Sequence, residues 1–499
     1  MKKRALISVY DKTGVVELAA SLIKKGYEII STGGTFKALK EAGLGVIEVA
    51  DVTGFEEILS GRVKTLHPHI FGGILATEAQ LGEIADKNIS LIDLVVVNLY
   101  PFEDASKKDF IMQDLVEYID IGGVALLRAA AKNFERVNVL CCPTQYEDFI
   151  KKETTLEYRQ NLAKEAFLLT SKYDSLIANA LCSKEGMPEN MSISLSKKSD
   201  LRYGENPHQK AALYNFGKEV EYEVLNGKEL SYNNIVDICS ALDIVSEFYD
   251  VAATTVIKHN NPCGVALGDN LFDSYLKAFD CDPISAFGGI IAFTQKVTLD
   301  IAKHASSIFL EVLVAPDFDA DALKVLKQKK NLRLIKINTK LSDYKKLKNI
   351  DIKALPFGVL IQDTDLKELD KDTFKVVSKK KPTQEQVEDM IFAWKVAKYA
   401  NSNAIVIAKD KKTLGIGIGQ TSRIASMEIA LNQACEDLKD AVIASDGFFP
   451  AVDNIHAAAQ NRIGAIIQPG GSIKDKDVID ACDKLGISMI TTSIRHFKH

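Results

Sequence analysis

Short runs of aliphatic and β-branched residues recur along the chain, separated by stretches whose apolar positions follow a helical period. Ala5-Leu6-Ile7-Ser8-Val9, Tyr27-Glu28-Ile29-Ile30-Ser31, Asp93 to Phe102, Thr254-Thr255-Val256-Ile257, Ala404-Ile405-Val406-Ile407 and Ala441-Val442-Ile443-Ala444 read as strands. The run Leu94-Val95-Val96-Val97 is apolar on both faces, as a buried parallel strand requires. Val15 to Lys25, Phe36 to Ala42, a segment opening at Asp120 and Pro382 to Ala400 read as helices. The last carries Val387, Met390, Ile391, Trp394, Val396 and Ala397 on its apolar side. Strands alternating with helices predict an α/β protein. The pairing of 254–290 with 403–450 predicts two similar α/β subdomains, roughly 200–360 and 380–499. A helical region from 150 loosens into polar residues, Ser183-Lys184-Glu185-Gly186 and Ser192 to Ser199, which places a boundary between domains 1–195 and 196–499. Residues 320–350, rich in Lys, read as a solvated helix and strand.

The length of 499 residues also calls for more than one core. The net charge of -5 gives no general basic field for nucleic acid, so an anionic ligand must be captured locally. The eight cysteines contain no C-x-x-C pair and no disulfide framework. No apolar run approaches the ~20 residues of a membrane span. The first apolar run is too short for a secretory signal. A reduced, cytoplasmic enzyme or binding protein is expected.

The candidate chemistry sits where strands end. Val256-Ile257 runs straight into Lys258-His259, two proton-handling side chains, before a loop of Asn260-Asn261-Pro262 closed by Gly264. Thr32-Gly33-Gly34-Thr35 lies between a strand and a helix, where glycines, hydroxyls and a helix dipole suit a phosphate; a bare turn would read the same. In Gly61-Arg62-Val63-Lys64-Thr65, alternation puts Arg62, Lys64 and Thr65 within about 7 Å on an extended segment, a cluster suited to an oxyanion. His67-Pro68-His69 has no carboxylate or Cys partner at regular spacing, which disfavours a metal. Asn98 and Tyr100 end a strand. Asp120, Gly122 and Gly123 open a helix that carries Arg128 and Lys132 four residues apart. Arg202-Tyr203 in a turn-rich loop suits a nucleotide, and Phe287-Gly288-Gly289 gives a tight backbone approach beside an aromatic. The run Gly415 to Arg423 lacks the full dinucleotide fingerprint and reads as a strand turning into a helix that presents Gln420 and Arg423.

These motifs, from Ser8-Val9-Tyr10-Asp11-Lys12-Thr13-Gly14 through Lys258-His259-Asn260-Asn261-Pro262-Cys263-Gly264 to Ser445-Asp446-Gly447-Phe448-Phe449-Pro450, stand in the order found in one family. The chain resembles the bifunctional purine biosynthesis enzymes that couple AICAR transformylase to IMP cyclohydrolase. The likeness runs over essentially the whole chain and is weakest at 320–385. It implies a methylglyoxal-synthase-like Rossmann-type domain followed by a transformylase part of two cytidine-deaminase-like subdomains.

The resemblance also implies roles. Lys64, Tyr100, Asp120 and Lys132 would surround the cyclohydrolase reaction. Ser8, Lys12, Gly33, Thr35, Arg62, Thr65, Gly122 and Gly123 would bind that substrate. Lys258, His259 and Asn403 would carry formyl transfer from 10-formyltetrahydrofolate to AICAR. Arg202, Tyr203, Phe287, Gly288, Gln420, Arg423, Asp446, Phe448, Asn454 and Arg495 would hold AICAR or folate. Tyr10 stands where the family pattern has a small hydroxyl residue. Family members hold a potassium ion near Ser402 and Asp446; Ala404 and Lys498 depart from that pattern, so the ion stays open here. Pro262-Cys263 echoes a zinc deaminase, but no second Cys at C-x-x-C spacing and no H-x-E joins it, so no zinc is expected. The family is a homodimer with transformylase sites across the subunit interface. A protein with one lapsed activity and a nucleotide-sensing module without turnover are the rival readings. The second would need the phosphate cradles but neither Lys258-His259 nor Lys64 with Tyr100.

Overall fold

The structure, a computed structural model, describes residues 2–108, 111–182, 186–347, 350–370 and 373–499. Ser183-Lys184-Glu185 of the polar stretch and positions 348 and 349 of the Lys-rich tract lie outside the described residues. The chain divides into two compact units, Met1–Ser194 and Leu195–His499.

The first unit is built on a parallel sheet of β1 (Lys3–Val9), β2 (Tyr27–Ser31), β3 (Val46–Glu48), β4 (Leu94–Asn98) and β5 (Asn138–Leu140), in the order β3-β2-β1-β4-β5. Its central strands are buried on both faces, which is why they read as unbroken apolar runs. The winding direction changes between β1 and β4, so their carboxyl ends flank a crevice. Two expectations are corrected here. The helix after β2 begins at Gly33, not Phe36, and runs to Glu41, so both glycines lie in its first turn. The segment around Arg62 is not extended. Ile58 and Val63 pair as an antiparallel bridge, and Leu59, Ser60 and Gly61 turn between them with φ of 56, 54 and 86°. Gly61 closes that turn at no steric cost.

In the second unit a two-stranded hairpin of β6 (Ser196–Leu201) and β7 (Ala211–Asn215) comes first. Then follow β8 (Tyr222–Asn226), β9 (Ala253–Lys258), β10 (Asn261–Leu267), β11 (Ile290–Phe293), β12 (Val312–Ala315) and β13 (Arg333–Ile337). A second hairpin, β14 (Ile350–Leu355) and β15 (Gly358–Asp363), precedes β16 (Lys375–Val376), β17 (Ile405–Lys409), β18 (Lys412–Gly417), β19 (Val442–Ser445), β20 (Ala465–Gln468) and β21 (Ser488–Thr491). One continuous sheet has the order β16-β21-β20-β19-β17-β18-β10-β9-β11-β12-β13-β8.

Outward from the β10–β18 pair, both halves repeat one pattern: antiparallel, antiparallel, parallel, parallel, antiparallel. Helices Tyr232–Val245 and Gln384–Ala397 cover one face, with Met390, Phe392 and Trp394 buried among Ile257, Val265 and Val406. β13 is a buried strand between β12 and β8, which corrects the solvated reading of the Lys-rich tract; its lysines flank an apolar core of Leu334, Ile335 and Ile337. The expected Asn260-Asn261-Pro262 loop is likewise a two-residue hairpin turn. His259 and Asn260 both take positive φ, and Pro262 already belongs to β10, at a register shift where the ladder is interrupted.

Candidate functional sites

In the first unit, the loop after β1 is tied to the end of β4. The Asn98 side chain accepts from the amides of Tyr10 and Asp11 at 2.6 and 2.9 Å and donates to the Asp11 carbonyl at 2.8 Å. The Tyr10 ring meets the edge of Tyr100, centroids 5.6 Å apart. This holds Lys12 over the first turn of helix Gly33–Glu41, where a Cβ on Gly34 would lie 3.7 Å from Lys12 Nζ. A Cβ on Gly33 would lie 3.1 Å from Lys64 Nζ, so the two lysines converge on the Gly-Gly turn. Lys64 also faces Glu57 at 3.3 Å. Thr65 is buried, and a Cβ on Gly122 would meet its hydroxyl at 3.3 Å, which brings the start of helix Gly122–Lys132 to the same place.

Asp120 caps that start by accepting from the Gly123 amide at 2.7 Å. Tyr173 receives the Asp120 amide at 2.8 Å and donates to the Tyr118 carbonyl at 2.6 Å, fixing the turn from behind. Burial raises the Asp120 pKa above the ordinary carboxylate value, while the Gly123 and Tyr100 amides act to lower it. The crevice therefore gathers two cations, a poised carboxyl, an exposed phenol and a glycine-lined helix start.

Other predicted residues of this unit make contacts of their own. The Thr35 hydroxyl is buried, accepting from the Val9 amide at 3.0 Å and donating to the Val9 carbonyl at 2.9 Å, so it ties helix to strand. Ser8 lies within β1, paired with Val97. Arg62 is paired with Glu117. Lys132 ends the helix that Gly122 begins, roughly 15 Å away at 1.5 Å per residue. It lines a groove of about 690 Å³ with Arg128, Phe71, Phe134 and Phe167.

In the second unit, Lys258 ends β9 and donates from Nζ to the Phe287 carbonyl at 2.8 Å. The exposed Phe287 ring packs against Phe309, centroids 5.2 Å apart. The Gly288 amide bonds the Phe309 carbonyl at 2.8 Å. Phe309 in turn lines a cavity of about 250 Å³ with Arg202, Tyr203, Lys228, Glu311 and Arg333. Arg202 stacks over Tyr203 at 4.8 Å. An aromatic pair, a cation–π stack and a cationic rim thus run from this cavity to Lys258.

The second half contributes Asn403. Its side chain donates to the Gln420 carbonyl at 2.8 Å and accepts from Arg423 Nη2 at 2.7 Å. Ser426 donates to its carbonyl at 2.8 Å. Arg423 and Asp446 are buried and paired with each other, and Asp446 also accepts from Ser402 Oγ at 2.6 Å and the Ala404 amide at 3.1 Å. Arg423 holds the Asn403 side chain directly, and Asp446 anchors Arg423 from behind. Asn454 is fully buried at the start of helix Asp453–Gln460, its amide nitrogen bonded to Asp453. Gln420 folds back on the Ile418 carbonyl at 3.0 Å. Phe448 is exposed, and Arg495 lies over the Phe497 ring at 4.3 Å. Cys263 is buried, and burial pushes its thiol up to about 12.

Residue-by-residue reading misses Phe309, Glu311, Arg333 and Asp237. Phe309 and Glu311 lie on the connection into β12 and Arg333 opens β13, none within a local motif. Asp237, on helix Tyr232–Val245, accepts from the Asn260 amide at 2.6 Å beneath the His259 turn.

Residues 130–433 match the model of the AICARFT/IMPCHase bienzyme family, and residues 14–125 match the model of the MGS-like domain. Proteins named bifunctional purine biosynthesis protein PurH are similar along their whole length. That of Caldicellulosiruptor saccharolyticus is 49% identical over 520 residues, that of Thermoanaerobacter sp. 48% over 514, and that of Clostridium botulinum 51% over 511. Each comparison covers 100% of this chain and 100% of the relative.

Proposed function

This chain belongs to the AICARFT/IMPCHase bienzyme family, and we propose that unit Met1–Ser194 carries the cyclohydrolase reaction and unit Leu195–His499 the transformylase reaction. The enzyme moves a formyl group from 10-formyltetrahydrofolate to AICAR, giving FAICAR and tetrahydrofolate, and closes FAICAR to IMP with loss of water. The similarity extends over the whole chain and both units, which is the observation that carries this reading.

In formyl transfer, the AICAR amine is a weak nucleophile that must lose a proton while the formyl oxygen takes up charge. His259, at the tip of the β9–β10 turn, takes the amine proton in this reading. Lys258 neutralises the oxyanion, and Asn403 orients the formyl group. Arg202 and Tyr203 suit the nucleotide, and the exposed rings of Phe287 and Phe309 suit the flat folate. In ring closure, the carboxamide nitrogen attacks the formyl carbon and water leaves. Lys64 meets the developing oxyanion, and Tyr100 and Asp120 move protons. Lys12 and the first turn of helix Gly33–Glu41 bind the phosphate. Proximity supplies much of the rate for so poor a nucleophile.

The proposal also includes a homodimer with transformylase sites across its interface, and a cytoplasmic location consistent with cysteines that show no disulfide pattern. Among the described residues, no helix is long and apolar enough to cross a membrane. Ser402 Oγ and Asp446 Oδ2 are oxygen ligands of the type a potassium ion takes. Arg423 already offsets the Asp446 charge, so the steps above run through no ion.

The test incubates AICAR and 10-formyltetrahydrofolate with wild type, His259→Ala and Lys64→Ala. Wild type gives IMP, Lys64→Ala accumulates FAICAR, and His259→Ala transfers no formyl group. Unchanged turnover in His259→Ala would sink the transformylase assignment.

A further inference from the structure

His259 is held in a conformation that it would not choose alone. Its φ is 51° and that of Asn260 is 63°, both in the left-handed region. A two-residue hairpin turn of this hand normally uses Asn-Gly or Asp-Gly, and a non-glycine residue there persists only when its surroundings impose it. What imposes it comes from helix Tyr232–Val245: Asp237 Oδ1 accepts from the Asn260 amide at 2.6 Å, and Ser240 Oγ donates to the Asn260 side chain.

The other half of the sheet contains the same device. Helix Gln384–Ala397 places Asp389 under the β17–β18 turn, where its two oxygens accept from the amides of Asp410 and Lys411 at 3.0 and 2.8 Å. Asp410 and Lys411 again take positive φ, of 52 and 56°. Both helices open with a capping box, Ser231 with Asn234 and Thr383 with Gln386, and both carry the Asp three residues later. The brace thus belongs to the repeated fold unit. One copy of the turn bears His259, and the equivalent position in the other bears Asp410.

We propose that Asp237 is a positioning residue for formyl transfer, acting by fixing the backbone that aims His259, while its counterpart Asp389 braces an equivalent turn that carries no chemistry. This rests on the reading that His259 handles protons. The surroundings of Asp237 are mixed: burial, the largest effect, and Glu311 raise its pKa, while the Asn260 and His259 amides and the His259 charge lower it, leaving it raised overall.

The experiment uses the full-length enzyme and four variants, Asp237→Asn, Asp237→Ala, Asp389→Asn and Asp389→Ala. Transformylase kcat and KM are measured, with ring closure from supplied FAICAR as the control on the same chain. Asp237→Ala should lower transformylase kcat by roughly 10- to 100-fold, with KM near wild type and ring closure unchanged. Asp237→Asn keeps one acceptor oxygen and should lose less; it decides the matter if Asp237→Ala does not fold. The Asp389 variants should lower the melting temperature and leave transformylase kcat within a few-fold of wild type. Equal kcat losses from the two positions, or no loss from Asp237→Ala, would overturn the proposal. If His259→Ala itself retained formyl transfer, the underlying reading would fall instead.

Discussion

Arg423 and Asp446 form an ion pair with side-chain exposures of 4% and 0%, and the same guanidinium holds the Asn403 side-chain oxygen at 2.7 Å. A buried pair of this kind is weak evidence for stability, because desolvation opposes the attraction, but removing one partner strands the other charge. Asp446→Asn should therefore cost about 3–5 kcal/mol in denaturant unfolding. Formyl transfer should fall with it, since Arg423, which orients Asn403, loses its charge partner. Conservation of both unfolding midpoint and transformylase kcat would show that the guanidinium is held by other contacts.

Asp120 makes a prediction with a pH sign. Its folded-state pKa is raised above its unfolded value of about 3.9, mainly by burial. The folded state therefore binds its proton more readily, and the associated stability is fully present below the unfolded pKa and lost as pH rises through the folded one. At neutral pH the buried charge is a liability. Asp120→Asn, which still accepts from the Gly123 amide, should melt higher than wild type at pH 7 while losing ring closure. The gap should narrow as pH approaches 4. A variant that melts lower than wild type at pH 7 would mean that the carboxylate is better paired than its burial implies.

How much of this was visible in the sequence depends on what sets each feature. β4 and β19 are buried on both faces, so Leu94-Val95-Val96-Val97 and Val442-Ile443-Ala444 announced themselves. The turns at Leu59-Ser60-Gly61 and His259-Asn260 did not, because positive φ at Leu, Ser and His is imposed by tertiary partners rather than by local preference. Site residues named by motif split in two. Lys64, Tyr100, Asp120 and Lys258 gather around the crevices and sheet ends described above, whereas Thr35, Arg423 and Asp446 are buried and spend their polar atoms on neighbouring protein groups. Motif spacing cannot tell these cases apart. Asp237 was legible, but only by comparison within the chain: Ser231-x-x-Asn234-x-x-Asp237 returns as Thr383-x-x-Gln386-x-x-Asp389.

Glu247 links three elements and predicts acid sensitivity of the second unit. Its carboxylate is 6% exposed and accepts from Lys345 at 2.7 Å and from the Tyr399 hydroxyl at 2.7 Å. Burial alone would raise its pKa, but Lys345, Tyr399 and the charge of Lys398 outweigh that and hold it below the ordinary value. The stability it contributes is present above the unfolded value of about 4.3 and is lost as pH falls through the lowered one. Wild type should lose stability steeply below about pH 5. Glu247→Gln should start lower at pH 7, by roughly 3–5 kcal/mol, and show a flatter acid limb. Parallel pH profiles for the two proteins would remove Glu247 from the account.

Gly123 offers the sharpest separation of stability from activity. It lies in the first turn of helix Gly122–Lys132 with ordinary helical backbone, so alanine there should favour the helix by about 0.5–1 kcal/mol. Its Cβ, however, would stand 2.4 Å from Asp120 Oδ2 and 2.9 Å from Cγ, so the carboxyl must move. The Asp120 side chain is short and anchored by the Gly123 amide, so moving it breaks the cap and withdraws the group from Tyr100. The helix gain and the lost cap, about 1 kcal/mol, nearly cancel. Gly123→Ala should therefore melt close to wild type while ring closure from FAICAR drops by about 100-fold. Formyl transfer, which uses the other unit, should be untouched. Ring closure at the wild-type rate would mean that Asp120 can leave this cap without cost to the reaction.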